Sequence, residues 1–310
     1  MESSPFFSIV VPVYNRAHSL GATLKSVFSQ SLQDYEVIVV DDGSSDEVDF
    51  VVAQYVERGL SFFRNEINSG VGPTRNKGVR AARGKWIIFL DSDNCLLPDA
   101  LSILTSTIGE CDEKVAVVYG KSELIGIQAK LRTSGKAPDR WGYQQYLQAY
   151  QIEEALPVAR RDVLVNYPFL ENLGTKRECG TVVWYAIGRA GYEFVWTKKV
   201  VQRYQISPDS LSGRNFLTAH PEEIVACNQE IIEHFGADLG RFNRAKLVAL
   251  HQKTAFYCLM AGRRSCALHH ALMARKIDPL NLRTWAILIL SWIGPWTARR
   301  LYPVVSSVGA

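Results

Sequence analysis

The 310-residue sequence lacks the features that identify several common classes of protein. Its six cysteines include no Cys-x-x-Cys pair, which argues against a zinc site or disulfide framework and favours reduced thiols in a cytoplasmic protein. No run of five basic residues occurs and the net charge is +4, so we expect no nucleic-acid partner. Apolar runs stay below the ~18 residues of a spanning helix. The first strand pattern begins so early that we expect no signal peptide.

The order of apolar segments along the chain predicts an α/β protein. Segments rich in β-formers alternate with amphipathic helical segments up to about residue 120, which is typical of a mostly parallel, helix-flanked sheet. Past residue 219 the pattern becomes wholly helical. We therefore expect an α/β domain over 1–218 and a helical region over 219–310. Strands are expected at 7–13, 36–40, 60–63, 85–90, 115–119 and 194–201.

Asp91-Ser92-Asp93 directly follows the apolar strand segment 86–90. Side chains two positions apart in an extended chain point the same way, so both carboxylates should face one spot. At ~4 Å and an effective dielectric constant of about 20, two such anions repel by about 4 kcal/mol. A divalent cation relieves this repulsion, and hard oxygen ligands favour Mg²⁺ or Mn²⁺. An Asp-x-Asp also arises by chance, so its place at a strand end carries the prediction.

Polar side chains also follow two other predicted strands, at residues 12–15 and 41–45. Ligands of such sheets bind beyond the carboxyl ends of the strands, so the three polar segments should form one site. The neighbouring side chains of Asp41 and Asp42 diverge, which makes them a poor metal pair. One of them can accept a hydrogen bond from a ligand. The alternative is that Asp42 or Ser45 caps the following helix.

Residues 70–77 open a predicted helix with two glycines, an arginine and a lysine. A helix N-terminus with cations beside it suits a phosphate group. The segment is neither a P-loop nor the Gly-x-Gly-x-x-Gly of dinucleotide-binding folds. A solvated helix start without a ligand is the alternative.

Four ordered motifs resemble those of the family 2 glycosyltransferases, which are inverting enzymes of the GT-A fold. The motifs are Ile-Val-Val-Pro-Val-Tyr-Asn at 9–15, Val-Val-Asp-Asp-Gly-Ser at 39–44, Gly-Pro-Thr-Arg-Asn at 72–76 and Phe-Leu-Asp-Ser-Asp-Asn at 89–94. The resemblance covers roughly residues 6–215. It implies a Rossmann-like GT-A catalytic domain, with a nucleotide-sugar half at about 1–120, an acceptor half at about 121–218, and a helical C-terminal appendage.

The resemblance also implies the residues that bind the nucleotide-sugar, which are Pro12, Tyr14, Asn15, Asp42, Arg75, Asp91 and Ser92. The strand end at 12–15 would wall the nucleobase pocket. Asp42 would bind the uracil edge, and Arg75 would reach the base or the diphosphate. Asp91 would face the ribose or the donor sugar. Asp93 would ligate Mn²⁺ or Mg²⁺ on the diphosphate.

Inversion needs a base on the far face of the sugar to accept the proton of the acceptor hydroxyl. In the family this base is usually an Asp just ahead of a Trp-containing helix, but here Cys179 and Gly180 occupy the acidic positions. Glu178 is the nearest carboxylate and the candidate catalytic residue, with Glu171 as a weaker candidate. Alternatively, Glu178 only complements the dipole of the helix that it begins. A second departure is Ser207, where the family often has His.

These features predict a metal-dependent hexosyl- or N-acetylhexosaminyl-transferase. It would move a sugar from a UDP-sugar to a surface polysaccharide or a polyprenyl-linked glycan acceptor. A nucleotidylyltransferase is one alternative, since it also uses paired acids and a metal, although residues 14–17 lack the glycine that its usual loop requires. A non-catalytic sugar-nucleotide-binding scaffold is another, because an acid is missing at Gly180.

Residues 280–302 are unusually apolar and rich in tryptophan, with Arg299 and Arg300 near their end. Aromatic side chains beside cations are typical of a helix in a membrane interface. Peripheral contact with the inner face of the plasma membrane through this segment is one interpretation. A core helix or a homodimer contact is the other.

Overall fold

A computed structural model describes residues 4–125, 139–149, 154–177, 179–205 and 214–293. The chain divides into two compact units, 1–207 and 208–310. The boundary predicted from the sequence, near residue 219, lies a short distance beyond this division.

A nine-stranded sheet forms the centre of the first unit. Its strands are β1 (Phe7–Val13), β2 (Tyr35–Asp41), β3 (Leu60–Arg64), β4 (Trp86–Phe89), β5 (Cys95–Leu96), β6 (Val115–Ile125), β7 (Arg140–Trp141), β8 (Ala155–Arg160) and β9 (Glu193–Gln205). The helices are α1 (Ala17–Phe28), α2 (Val48–Ala53), α3 (Val71–Ala81), α4 (Ala100–Gly109), α5 (Tyr143–Gln148), α6 (Arg161–Leu164) and α7 (Gly180–Arg189), with a 3₁₀ turn at Val56–Arg58.

Strands β3, β2, β1 and β4 lie side by side and run parallel. Strand β1 is buried on both faces, which explains its nearly continuous apolar sequence. Because the four strands run the same way, the polar segments that follow β1, β2 and β4 share one edge of the sheet. The predicted α/β fold, with a mostly parallel N-terminal sheet between helices, is confirmed.

Beyond β4 the sheet becomes mixed. Strand β8 lies between β4 and β6 and is antiparallel to both. No strand is predicted there from the sequence, because Pro157 and Arg160 make the segment a weak strand pattern. Strand β9 pairs parallel with β6 and antiparallel with the short strands β5 and β7. The pairing of β5 with β9 holds the chain just after Asp93 against the C-terminal part of β9.

The described part of the second unit consists of helices α8 (Arg214–Ala219), α9 (Pro221–Phe242), α10 (Arg244–Met260), α11 (Arg264–Ile277) and α12 (Leu282–Ile293). Ile287 and Leu288 of α12 are buried in a small core cluster with Ala255 and Ala271. None of the described helices is long and apolar enough to cross a membrane.

Candidate active site

The loop after β1 is fixed to the loop after β2 by hydrogen bonds on both sides of Asn15. The Asn15 N–H donates to Ser44 Oγ (2.9 Å), and Asn15 Oδ1 accepts from the Ser45 N–H (2.8 Å). The φ of Asn15 is 49°, a left-handed conformation that asparagine tolerates better than most residues. The side chain of Tyr14 is exposed beside it, and Pro12 is half-buried. The three predicted pocket residues therefore lie at one strand end, and their contact with a nucleobase stays a prediction.

Asp42 is buried and binds the loop that leads into α3. One carboxylate oxygen accepts from the Ser69 N–H and the other from the Gly70 N–H, each at 2.8 Å. Helix α2 begins after Glu47 without a side-chain cap, so the interpretation of Asp42 or Ser45 as its cap is wrong. Recognition of a uracil edge by Asp42 stays a prediction, and it would use the remaining lone pairs of this carboxylate.

The start of α3 packs closely on residues 169–176. A Cβ on Gly70, whose φ is 96°, would lie 2.5 Å from Thr175 O, and a Cβ on Gly72 would lie 2.8 Å from Leu170 O. Glycine is needed at both positions because backbone atoms occupy the space that a side chain would fill. The interpretation of this segment as a solvated helix start is therefore wrong.

Asn76 ties α3 to the same segment from a buried position. Its Nδ2 donates to Phe169 O (2.8 Å) and to Glu171 Oε1 (2.7 Å), and its Oδ1 accepts from the Phe169 N–H (2.9 Å). The hydrogen bond from Asn76, helped by Arg80, lowers the pKa of Glu171 despite its partial burial. A carboxylate held in this way is a weak base. Glu178, the preferred candidate, lies outside the described residues, as does Ser207.

Arg75 connects the start of α3 to the end of β4. Its Nη2 lies 3.0 Å from Asp91 Oδ1. Its guanidinium carbon lies 5.2 Å from the ring centre of Phe89 and 5.7 Å from that of Phe169. A planar guanidinium held by two rings keeps a fixed orientation, which suits recognition of a phosphate or a base. The structure thus brings the predicted residues Arg75 and Asp91 together, with Ser92 buried beside them.

Asp93 is largely buried next to Arg16, which is not among the site residues predicted from the sequence. Arg16 Nη1 lies 3.1 Å from Asp93 Oδ2. Burial and then the negative charge of Asp91 raise the pKa of Asp93, while the positive charges of Arg16 and His18 act in the opposite direction. A further cation at this place would therefore stabilise the ionised form of Asp93.

Asp91 and Asp93 fit a divalent cation in both chemistry and charge. They supply hard oxygen ligands, and a cation would oppose both causes of the raised pKa of Asp93, which are first its burial and then the negative charge of Asp91. The part of the chain that the structure describes holds no cluster of three or more His, Cys, Asp or Glu that could bind a metal ion by itself. A metal ion here would need oxygen atoms from a bound ligand, such as a diphosphate, to complete its coordination.

Asn94 fixes the acidic loop to β9. Its buried Oδ1 accepts a hydrogen bond from the Gln205 N–H (2.9 Å). The roles of Arg16, Asn76 and Asn94 are not predicted from the sequence. Arg16 directly follows the first motif, and Asn76 and Asn94 are the last residues of the third and fourth motifs. Asn76 is also a polar residue on the buried face of a helix, which is a usable signal.

Comparison with known proteins agrees with the motifs. Residues 8–155 match the family model described as glycosyl transferase family 2. An uncharacterized glycosyltransferase of Haemophilus influenzae is 42% identical over 120 residues, which are 38% of this chain and 40% of that protein. The UDP-Glc:alpha-D-GlcNAc-diphosphoundecaprenol beta-1,3-glucosyltransferase WfgD of Escherichia coli is 30% identical over 167 residues, which are 53% of this chain and 64% of that protein. The match thus covers less than two thirds of either curated relative.

Solved structures share the fold. S. aureus TarS 1-349 in complex with UDP-GlcNAc has a TM-score of 0.62 at 17% identity, and the match covers 96% of this chain and 91% of that chain. The mannosyltransferase PcManGT from Pyrobaculum calidifontis, in complex with GDP-Man and Mn²⁺, has a TM-score of 0.58 at 17% identity, with 94% and 87% covered. The fold is that of the GT-A glycosyltransferases, and residues 8–155 carry the match to glycosyl transferase family 2.

Proposed function

We propose that this protein is an inverting glycosyltransferase that moves a sugar from a UDP-sugar to a hydroxyl group of a surface polysaccharide or lipid-linked glycan. The observation that carries this proposal is the pairing of Arg16 with Asp93 and of Arg75 with Asp91 at one edge of the sheet. Two acids and two arginines at the carboxyl ends of parallel strands suit a nucleoside diphosphate and its sugar.

Donor binding is assigned to the loops that follow β1, β2 and β4. The exposed ring of Tyr14 can stack on a nucleobase, with Pro12 and Asn15 shaping the pocket. Arg75, whose guanidinium lies against two aromatic rings, can direct a hydrogen-bond donor towards the base or the diphosphate. The complex of TarS with UDP-GlcNAc, a protein of the same fold, supports a uridine nucleotide.

Asp93, with Asp91 beside it, would hold Mn²⁺ or Mg²⁺. Such an ion, when bound, neutralises the charge that develops on a departing nucleoside diphosphate. Support comes from the raised pKa of Asp93 and from the Mn²⁺ in the complex of PcManGT, a mannosyltransferase that shares the fold. Arg16 and Arg75 add fixed positive charge at the same edge of the sheet.

Glu178 is proposed as the base that takes the proton from the acceptor hydroxyl. The support is its place in the chain, between the segment packed on α3 and the start of α7. The Val71 N–H donates to Lys176 O (3.1 Å), which fixes the chain two residues ahead of Glu178 to the start of the helix that carries Arg75. A base carried on that segment would thus be positioned relative to the donor site.

A lipid-linked acceptor is supported by the E. coli relative, whose name specifies a diphosphoundecaprenol acceptor. We place the reaction in the cytoplasm, at the inner face of the plasma membrane. Peripheral membrane contact through residues 280–302 belongs to this proposal, with a homodimer contact as the alternative use of that segment.

The test is a panel of nucleotide sugars, with and without Mn²⁺, in which melting temperature and donor hydrolysis are both measured. We expect one UDP-sugar to raise the melting temperature in the presence of Mn²⁺ and to be hydrolysed slowly without an acceptor. Binding without hydrolysis of any donor would favour a scaffold. Formation of a nucleotide sugar from a nucleoside triphosphate and a sugar phosphate would favour a nucleotidylyltransferase.

A further inference from the structure

We infer that one face of helix α12 docks on an anionic phospholipid bilayer. This α12 face consists of Leu282, Trp285, Ile289 and Trp292. The four side chains follow one another at intervals of three or four residues, so they lie on one side of the helix. The inference narrows the membrane contact proposed above for residues 280–302 to these four side chains and to an anionic surface, and it does not depend on the proposed transfer reaction.

The α12 face is apolar and open to solvent. The exposed fractions are 84% for Leu282, 41% for Trp285, 57% for Ile289 and 78% for Trp292. The opposite side of the helix, which includes Ile287, is buried in the core. A helix that covers a core normally presents polar side chains to water. A row of large apolar side chains on the outer face instead marks an interaction surface.

Cations border the α12 face along the neighbouring helix α11. The guanidinium carbon of Arg275 lies 4.5 Å from the ring centre of Trp285. At the other end, Arg264 Nη2 donates to the carbonyl oxygen of Trp292 (2.6 Å). Over residues 261–293 the sequence has five lysines or arginines and a single acidic residue. The surroundings of the apolar row thus carry an excess of positive charge.

This positive charge favours an anionic bilayer over a second copy of the chain as the partner of the α12 face. A second copy of the chain would bring the same excess of positive charge against itself. Anionic lipid headgroups complement the arginines, while tryptophan and isoleucine side chains enter the boundary between headgroups and acyl chains. Trp285 suits such a boundary, since its ring is apolar and its Nε1–H is already satisfied by Pro279 O (3.0 Å).

The test is flotation of the full chain with vesicles of phosphatidylcholine alone, or of phosphatidylcholine with roughly one third phosphatidylglycerol. We expect at least about tenfold stronger binding to the anionic vesicles, and weaker binding as salt rises. Replacement of two members of the α12 face, in the double variant I289S/W292S, should weaken that binding at least about tenfold. Phe50→Ser is the matched control, because Phe50 is an apolar side chain of α2 with 70% exposure.

Arg283→Glu is a second variant that leaves the apolar row intact, so it keeps the test valid if the double variant folds poorly. It should weaken binding to anionic vesicles about fivefold, whereas Lys199→Glu, a reversal of an exposed charge on β9, should not. Wild-type binding by the folded double variant would overturn the inference, as would a wild-type protein that binds neither vesicle. Conversion of a dimer to a monomer in the double variant, with vesicle binding unchanged, would assign the α12 face to a second copy.

Discussion

Arg16 Nη1 lies 3.1 Å from Asp93 Oδ2, across the gap between the ends of β1 and β4. This ion pair places a positive charge beside the carboxylate that we propose as a ligand of a divalent metal ion. Both side chains are 20% exposed, so solvent screens the pair only in part. Because of this ion pair, a substitution of Arg16 changes the electrostatic surroundings of Asp93 without altering Asp93 itself.

Arg16→Gln should lower stability in metal-free buffer by about 1 kcal/mol, because Asp91 and Asp93 then lose a balancing charge. When Mn²⁺ is added to protein already saturated with UDP, the further rise in melting temperature should be larger in this variant than in the wild-type protein, since no arginine competes for Asp93. Both effects are measured by thermal unfolding with and without the ligands. Lys199→Gln, a change of an exposed cation elsewhere in the unit, should behave as wild type. An equal gain in the Arg16 variant and the wild type would show that Arg16 does not compete with the metal.

Gly72→Ala should slow transfer about tenfold and lower stability by about 1–3 kcal/mol. The added Cβ would lie 2.8 Å from Leu170 O, which pushes α3 away from the segment that leads to Glu178. Steady-state rates and denaturant unfolding measure the two effects. Gly109→Ala is the control, because a Cβ there would have no neighbour within 4 Å. An unchanged rate in the Gly72 variant would mean that this packing does not position the base.

Glu178→Gln should reduce the rate of transfer by at least about a hundredfold, as expected on removal of a general base, with little change in donor affinity. Glu171→Gln should mainly reduce stability, since Glu171 Oε1 accepts hydrogen bonds from Asn76 and Arg80. Turnover numbers and donor dissociation constants of both variants separate these roles. Wild-type turnover in the Glu178 variant would place the base elsewhere.

The helical unit should lose stability in mild acid through His251 and His270, which are buried with their Nδ1 atoms 3.0 Å apart. Burial, followed by the charge of neighbouring histidines, lowers each pKa from 6.5 to about 4. The unfolded chain therefore binds more protons than the folded one between these values. Stability is fully present above pH ~6.5 and falls as the pH decreases towards ~4.

His270→Gln should flatten this dependence of the unfolding free energy on pH. Leu272→Gln, a change of an exposed side chain on the same helix, is the control and should leave the dependence as in the wild type. Denaturant unfolding of the full chain between pH 7 and pH 4, at steps of about half a unit, measures the difference. The same acid sensitivity in the His270 variant and the wild type would remove this pair as its cause.

The parallel half of the sheet could be predicted from the sequence because its information is local. Each strand there is a short apolar run, and the polar residues that follow β1, β2 and β4 mark their carboxyl ends directly. Strand β8 could not be found in this way, because Pro157 weakens its pattern and its place depends on pairing with β4 and β6. Pairing between distant segments leaves little trace in one segment's own composition.

The site shows the same division between local and distant information. Asp91, Asp93 and Arg75 stand in motifs that can be recognised, whereas their partners are set by the fold. Arg16 and Asp93 are 77 residues apart, and Asn76 and Phe169 are 93 apart. The order of the strands in the sheet determines which arginine pairs with which aspartate. The periodicity of a single helix or strand does not contain this information.

The most direct measurement is a crystal structure of the protein grown with UDP and Mn²⁺, with anomalous scattering used to locate the metal ion. We expect manganese bound between the Asp93 carboxylate and the diphosphate, with the uracil near Tyr14. Asp93→Asn should lose this manganese and the transfer activity while keeping the fold, whereas Glu66→Gln, a change of an exposed acid after β3, should keep both. Manganese or UDP bound away from Asp93, or full activity of the Asp93 variant, would contradict the proposed site.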